Sequence, residues 1–278
     1  MTTIGMELRW HQFIELLEAP RIPILGSIIH TLCFPAITAL IILGTTTLNY
    51  PLSDATIIGM LLIAACPSGG FSNILALVAR ANLPLSVLLT SVSSILSFVT
   101  VPIFMAAFAF FMADLNEPIR LPVSETLLQL LILVLLPIGL GMLIRFKHDQ
   151  WVTRHLARAQ NVGQLALYVC VAFIIAENWD VIIVGVGEAL PWSLGLCTLN
   201  LVFCYQLANW SGLKVEDRIT VALEGSIRNL AVALLIATTI LQRVDVAVLP
   251  TVYFIAVMII AMLFAKTWRH VIPTTSQS

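Results

Sequence analysis

Of the 278 residues, 59 % are hydrophobic and only 10 % charged, and the formal net charge is −1. A water-soluble domain carries roughly 25 % charged residues to keep its surface wetted, so this chain, with a mean hydropathy of +1.00, takes lipid as its solvent. The near-zero charge also excludes the polycationic surface on which nucleic-acid binding depends.

Residues 1–21 carry Glu7, Arg9, Glu15, Glu18 and Arg21. They lack the apolar core of a signal peptide, so no cleaved leader is expected, and they read as a cytoplasmic N-terminal segment. A spanning helix takes about 20 mostly apolar residues. Eight stretches qualify: Ile22–Leu43, Ala55–Ala79, Leu83–Met112, Leu121–Ile144, Val162–Val186, Leu190–Trp210, Ile219–Thr239 and Val246–Phe264. Barrel strands would be about 10 residues of alternating polarity, so the expected fold is all-α, a polytopic membrane protein. The five cysteines (Cys33, Cys66, Cys170, Cys197 and Cys204) lie in apolar runs without metal-ligand spacing and read as packing residues.

The second span is broken at its centre by Cys66-Pro67-Ser68-Gly69-Gly70-Phe71-Ser72-Asn73. Proline removes a helix hydrogen bond and clashes with the preceding turn, and the glycines relax the backbone. The seventh span carries Glu224-Gly225-Ser226-Ile227-Arg228-Asn229 between apolar flanks. Charges at mid-span cost at least about 2.5 kcal/mol each and persist where they face protein or water. One broken span is the middle of the first three, the other the middle of the last three, and they run oppositely through the bilayer. That is the pattern of an inverted-repeat transporter with two crossing broken helices, its ion and substrate sites at the crossing.

Orientation follows from the loops. Arg9, Arg21, Arg80, Arg145, Lys147, Arg154, Arg158, Lys214, Arg218, Lys266 and Arg269 fall on one side, and Arg120 and Arg243 on the other. By the positive-inside rule both termini face the cytoplasm of a multi-pass cell (inner) membrane protein. Trp10, Trp151, Trp179, Trp192, Trp210 and Trp268 fall at or beyond expected span ends, where amphipathic rings suit the interface.

These motifs resemble the bile acid:sodium symporter family. Its fourth helix carries Cys-Pro-Gly-Gly-x-x-Ser-Asn, followed by a short charged turn and Leu-Ser-Val-x-x-Thr, and here the match is Cys66 to Asn73, then Leu85-Ser86-Val87 and Thr90. Glu224 to Asn229 is similar to the ninth-helix Glu-x-Gly-x-Gln-Asn, and Gly5-Met6-Glu7-Leu8 to the Gly-Met-x-Leu turn after the second helix. The resemblance implies a panel of four helices and a core of six, of which the eight spans match helices three to ten. It divides the chain into a first core triplet (22–112), remaining panel helices with a cytoplasmic loop at 145–161 (113–186), a second core triplet (187–269) and a cytoplasmic tail (270–278).

The same resemblance implies a sodium site at Ser72, Asn73, Ser86, Thr90 and Glu224. Ser86 and Thr90 are four apart and share a helical face, although Ser and Thr in membrane helices also bond their own i−4 carbonyls. The family's second sodium site maps to His30 and Arg228, where both neutral oxygen donors are replaced, and Arg offers no acceptor. The expectation is that Arg228 stands in for the second sodium while paired with Glu224 four residues earlier. The alternative is a purely structural Glu224–Arg228 ion pair.

Half-helix N-termini near Ser72 and Asn229 and the charge of Arg228 favour a small organic anion as substrate. Phe71, Ser72, Ser226, Arg228 and Asn229 are the candidate contacts. Two other readings stand beside sodium-coupled transport: an arsenite-type efflux permease using Cys66 and Glu224, and a non-transporting membrane protein derived from a transporter. An enzyme is not expected, since no Gly-x-Ser-x-Gly or His-Glu-x-x-His motif occurs. Oligomeric state is left open.

Overall fold

A computed structural model of the chain describes residues 2, 6, 20–50, 52–112 and 136–271. The described residues form helices α1 (Arg21–Thr47), α2 (Asp54–Ala65), α3 (Phe71–Val78), α4 (Leu83–Met112) and α5 (Leu136–Lys147), with α6 (Asp149–Glu177) and α7 (Trp179–Trp210) following. After these come α8 (Val215–Ser226), α9 (Leu230–Leu235) with a π-helical turn at Ile236–Ile240, and α10 (Val244–Arg269). By length and composition α1, α7 and α10 are able to cross a membrane.

Two triplets are visible, α1/α2–α3/α4 and α7/α8–α9/α10, each with a broken middle helix. They interlock. Helix α7 packs along α10 and α8, α1 against α7 and α8, and α10 against α2, while α4 lines α1, α2, α3 and α8. Phe34, Leu196, Leu223 and Tyr253 belong to one buried cluster, and Leu62, Ile236 and Val246 to a second under the broken halves. Exposed apolar side chains such as Leu40 and Phe173 cover the outer faces, as a lipid-facing surface requires.

Both ends of the bundle are tied across the triplets. At one end Ser53 caps α2 by accepting from Thr56 N, and its own N–H and hydroxyl donate to the Glu188 carboxylate of α7 at 2.8 and 2.6 Å. At the other end Asn82, in the turn before α4, accepts from Leu85 N. Its amide donates to Asp217 Oδ1 at 2.8 Å, and its carbonyl accepts from the Thr220 hydroxyl, both on α8.

Two expectations from the sequence are corrected. The stretch 145–161 is not a loop: apart from a break at His148 it is helical, with Arg145 bonded to Asp149 across that break. The boundary between the fifth and sixth spans lies at Asn178, not at 187–189. Glu188, which suggested a turn, instead projects from within α7 to hold Ser53, and Gly185 packs on Val248. Trp192 accordingly sits inside α7, edge-on to Tyr50 of the α1–α2 turn. Most of the fourth expected span, most of residues 1–21 and nearly all of the tail lie outside the described residues.

Candidate functional site

Helix α2 stops where proline dictates, and Cys66 turns extended (ψ 147°). Helix α8 stops at Ser226, and Ile227 and Asn229 are extended as well. The two extended strips meet as one antiparallel bridge between Ser68 and Arg228: Gly69 N donates to Ile227 O, and Asn229 N to Pro67 O, each at 2.9 Å. Further backbone groups freed by the breaks find side chains. Ser68 N donates to Ser93 Oγ at 2.8 Å, Asn200 donates to Gly225 O, and the Tyr253 hydroxyl donates to Ser226 O at 2.6 Å. An unpaired peptide group in hydrocarbon costs several kcal/mol, so each break exists only because the other completes it. Gly69 is required by this approach, since a Cβ there would lie 3.0 Å from Arg228 O.

The bridge delivers Glu224 to the first break. Glu224 is fully buried, and both its carboxylate oxygens are saturated by hydroxyls. Oε1 accepts from Ser72 and Ser86 at 2.6 Å each and from Thr90 at 3.0 Å; Oε2 accepts from Thr90 at 3.0 Å and from Ser68. Asn73 Oδ1 joins the group 2.8 Å from Ser86 Oγ and 3.3 Å from Thr90 Oγ1. All five residues expected to hold sodium therefore converge. Ser86 has one proton for two acceptors, so oxygen lone pairs outnumber the protons that could bridge them. The six oxygens these five residues bring together, two of them from one carboxylate, suit a hard monovalent cation, and among the described residues no group of three or more His, Cys, Asp or Glu could hold another kind of metal.

Arg228 stands on the other side of the bridge, and here an expectation fails. No Glu224–Arg228 ion pair forms. The i,i+4 geometry needs a continuous helix, and the chain leaves the helix at Ile227. Arg228 Nη2 instead donates to His30 O at 2.8 Å, Nη1 to Cys66 O at 3.2 Å, and its guanidinium carbon lies 4.7 Å over the Phe34 ring. Arg228 Nε and both ring nitrogens of His30 have no hydrogen-bond partner among the described residues.

The remaining candidates divide. Asn229 caps α9 through Val232 N and, with Arg228, Tyr253 and Phe254, lines a cavity of about 10 Å³, room for one water at most. Phe71 is half-buried against the larger cluster. Ser226 is fully buried, its hydroxyl donating to Ala222 O at 2.9 Å, so it serves its own helix rather than a cavity. Three residues escaped sequence reasoning. Ser68 was visible as the hydroxyl in place of the motif's first glycine; Asn200 and Tyr253 gave only the weak signal of a polar group in an apolar run.

Residues 1–184 match the Sodium Bile acid symporter family. The chain is 26 % identical over 217 residues to the Probable sodium/metabolite cotransporter BASS1, chloroplastic of Arabidopsis thaliana, covering 77 % of this chain and 52 % of that protein. It is 25 % identical over 178 residues to the Uncharacterized sodium-dependent transporter YocS of Bacillus subtilis (strain 168), covering 64 % and 52 %. To Sodium/bile acid cotransporter 4 of Homo sapiens it is 32 % identical over 105 residues, covering 37 % and 23 %. The chain spans about half the length of the first two relatives. All three are named as transporters, none as an enzyme. Since the family match takes in the first broken helix, the hydroxyl-bearing α4 and well over half of the chain, this membrane protein belongs to the sodium bile acid symporter family.

Proposed function

We propose that the chain is a secondary active transporter that carries a small organic anion together with sodium, by alternating access at the crossing. The observation that supports this most is the convergence of Ser72, Ser86 and Thr90 on the Glu224 carboxylate, with Asn73 Oδ1 accepting from Ser86 and Thr90 beside it. Sodium at those oxygens is cargo, not a resident cofactor. The neighbouring Arg228 and Asn229 are the proposed anion contacts, with Phe71 and Ser72 beside them. The cell membrane, with both termini in the cytoplasm, is the proposed location, supported by the Lys/Arg asymmetry of the loops. The arsenite reading is weaker, because Cys66 is buried in an apolar cluster.

The test is uptake of radiolabelled taurocholate, pyruvate and pantoate by proteoliposomes holding the purified chain. An inward sodium gradient is expected to raise uptake of at least one probe tenfold or more over choline. Equal uptake in sodium and choline for every probe overturns sodium coupling, and binding without flux favours the non-transporting alternative.

A further inference from the structure

Among the described residues four charged side chains are buried: Arg145, Asp217, Glu224 and Arg228. Arg145 is bonded to Asp149 beside the α5–α6 break, and Asp217 lies in the first turn of α8 beside Asn82. Glu224 is about 10 Å farther along α8. Two charges therefore stand at the crossing, a carboxylate committed to hydroxyls and a guanidinium committed to carbonyls. With the Glu224 carboxylate ionised, as a cation site requires, and the Arg228 guanidinium charged, the crossing without ions is electrically neutral.

That neutrality has consequences for loading. A monovalent cation among the oxygens at Glu224 raises the local charge to +1 at a depth where net charge is expensive. A second cation would double it. A monovalent anion restores zero.

Arg228 also keeps a donor for an oxygen of such an anion, beside a cavity of about 10 Å³ that must widen to admit the rest of it. Its Nη groups are taken by His30 O and Cys66 O, and one face is covered by Phe34. Nε–H remains without an acceptor, and the side chain is only 6 % exposed. The adjoining His30 is fully buried, and its imidazole, which carries at least one N–H in any protonation state, also lacks a partner. Each of these two unanswered donors calls for an acceptor. A water would answer the hydrogen bonds and leave the charge; an anionic oxygen answers both.

We infer that Arg228 is a fixed counter-cation that admits one coupled cation only together with one monovalent anion, so that each cycle is electroneutral. This rests on the sodium-coupled reading above and adds its stoichiometry and the charge of its substrate.

Sodium binding to the purified full chain, measured with ²²Na⁺, separates the inference from that reading. The wild type is expected to bind one sodium per chain, at least fivefold more tightly with a monoanion from acetate, pyruvate and taurocholate than without. Arg228→Gln is expected to bind sodium at least tenfold more tightly than wild type without any anion, and to lose the linkage. In proteoliposomes, wild-type uptake of the linked monoanion should change less than twofold when a potassium–valinomycin potential of about 100 mV is imposed. One net charge per cycle would shift accumulation by about 50-fold. Sodium binding unmoved by every monoanion, equal sodium affinity in a folded Arg228→Gln, or potential-driven uptake overturns the inference and leaves sodium coupling standing. No sodium binding in wild type overturns both.

Discussion

Glu224→Gln is expected to weaken sodium binding by about 100-fold or more while leaving the protein folded. The substitution keeps the shape of the side chain and removes the only carboxylate among the converging oxygens. Truncating one partner of a buried, hydrogen-bonded charge pair costs about 2–5 kcal/mol, and here the other partner is the cation itself. The stability readout should move differently. Without sodium, the variant escapes the cost of burying an ionised group, so its thermal midpoint in detergent should equal or exceed that of wild type. With sodium, wild type should gain about 2.7 kcal/mol at 100 times its dissociation constant, and the variant almost nothing. A variant that keeps sodium-induced stabilisation would place the cation elsewhere.

The second large effect concerns the packing that holds the break in place. A Cβ on Gly225 would lie 2.5 Å from Cys204 Sγ and 3.5 Å from Asn200 Nδ2. Gly225 is the residue whose carbonyl Asn200 holds, so the methyl group of Gly225→Ala pushes α8 off α7 where the helix must end. Overpacking of this kind costs about 1–3 kcal/mol, against a gain of about 1 kcal/mol from helix propensity. The thermal midpoint should therefore fall, and sodium affinity with it, because Glu224 precedes Gly225. Removing the clashing atom tests the cause. Cys204→Ala combined with Gly225→Ala should recover at least half of the lost stability, a favourable coupling between adjacent sites. Simple additivity of the two losses would show that the cost has another origin.

Much of this was readable from the chain. Pro67 and the Glu224–Asn229 segment stand out because apolar surroundings make any polar or helix-breaking group conspicuous, and the structure breaks both helices there. The hydroxyls of Ser86 and Thr90 fall on one helical face by spacing alone, and they do face Glu224. What stayed hidden depends on contacts between distant segments. The bridge of Ser68 with Arg228 is a pairing of two breaks, and no local pattern encodes it. The Glu224–Arg228 pair was inferred from helical spacing that the break itself abolishes. The Asn178 boundary is marked by Glu177, Asn178 and Asp180, but the apolar runs on either side join across so short a polar stretch, and Glu188 drew the boundary toward itself while answering to Ser53.

Thallium, a heavier monovalent cation, makes the crossing directly visible. Anomalous diffraction from crystals of the full chain grown with thallium should give one peak enclosed by the Ser72, Ser86 and Thr90 hydroxyls, the Asn73 amide oxygen and the Glu224 carboxylate, displaced by excess sodium. A sodium-sensitive peak beside Arg228 and His30, or no peak at Glu224 under saturating thallium, would contradict a cation site built by two broken helices completing one another.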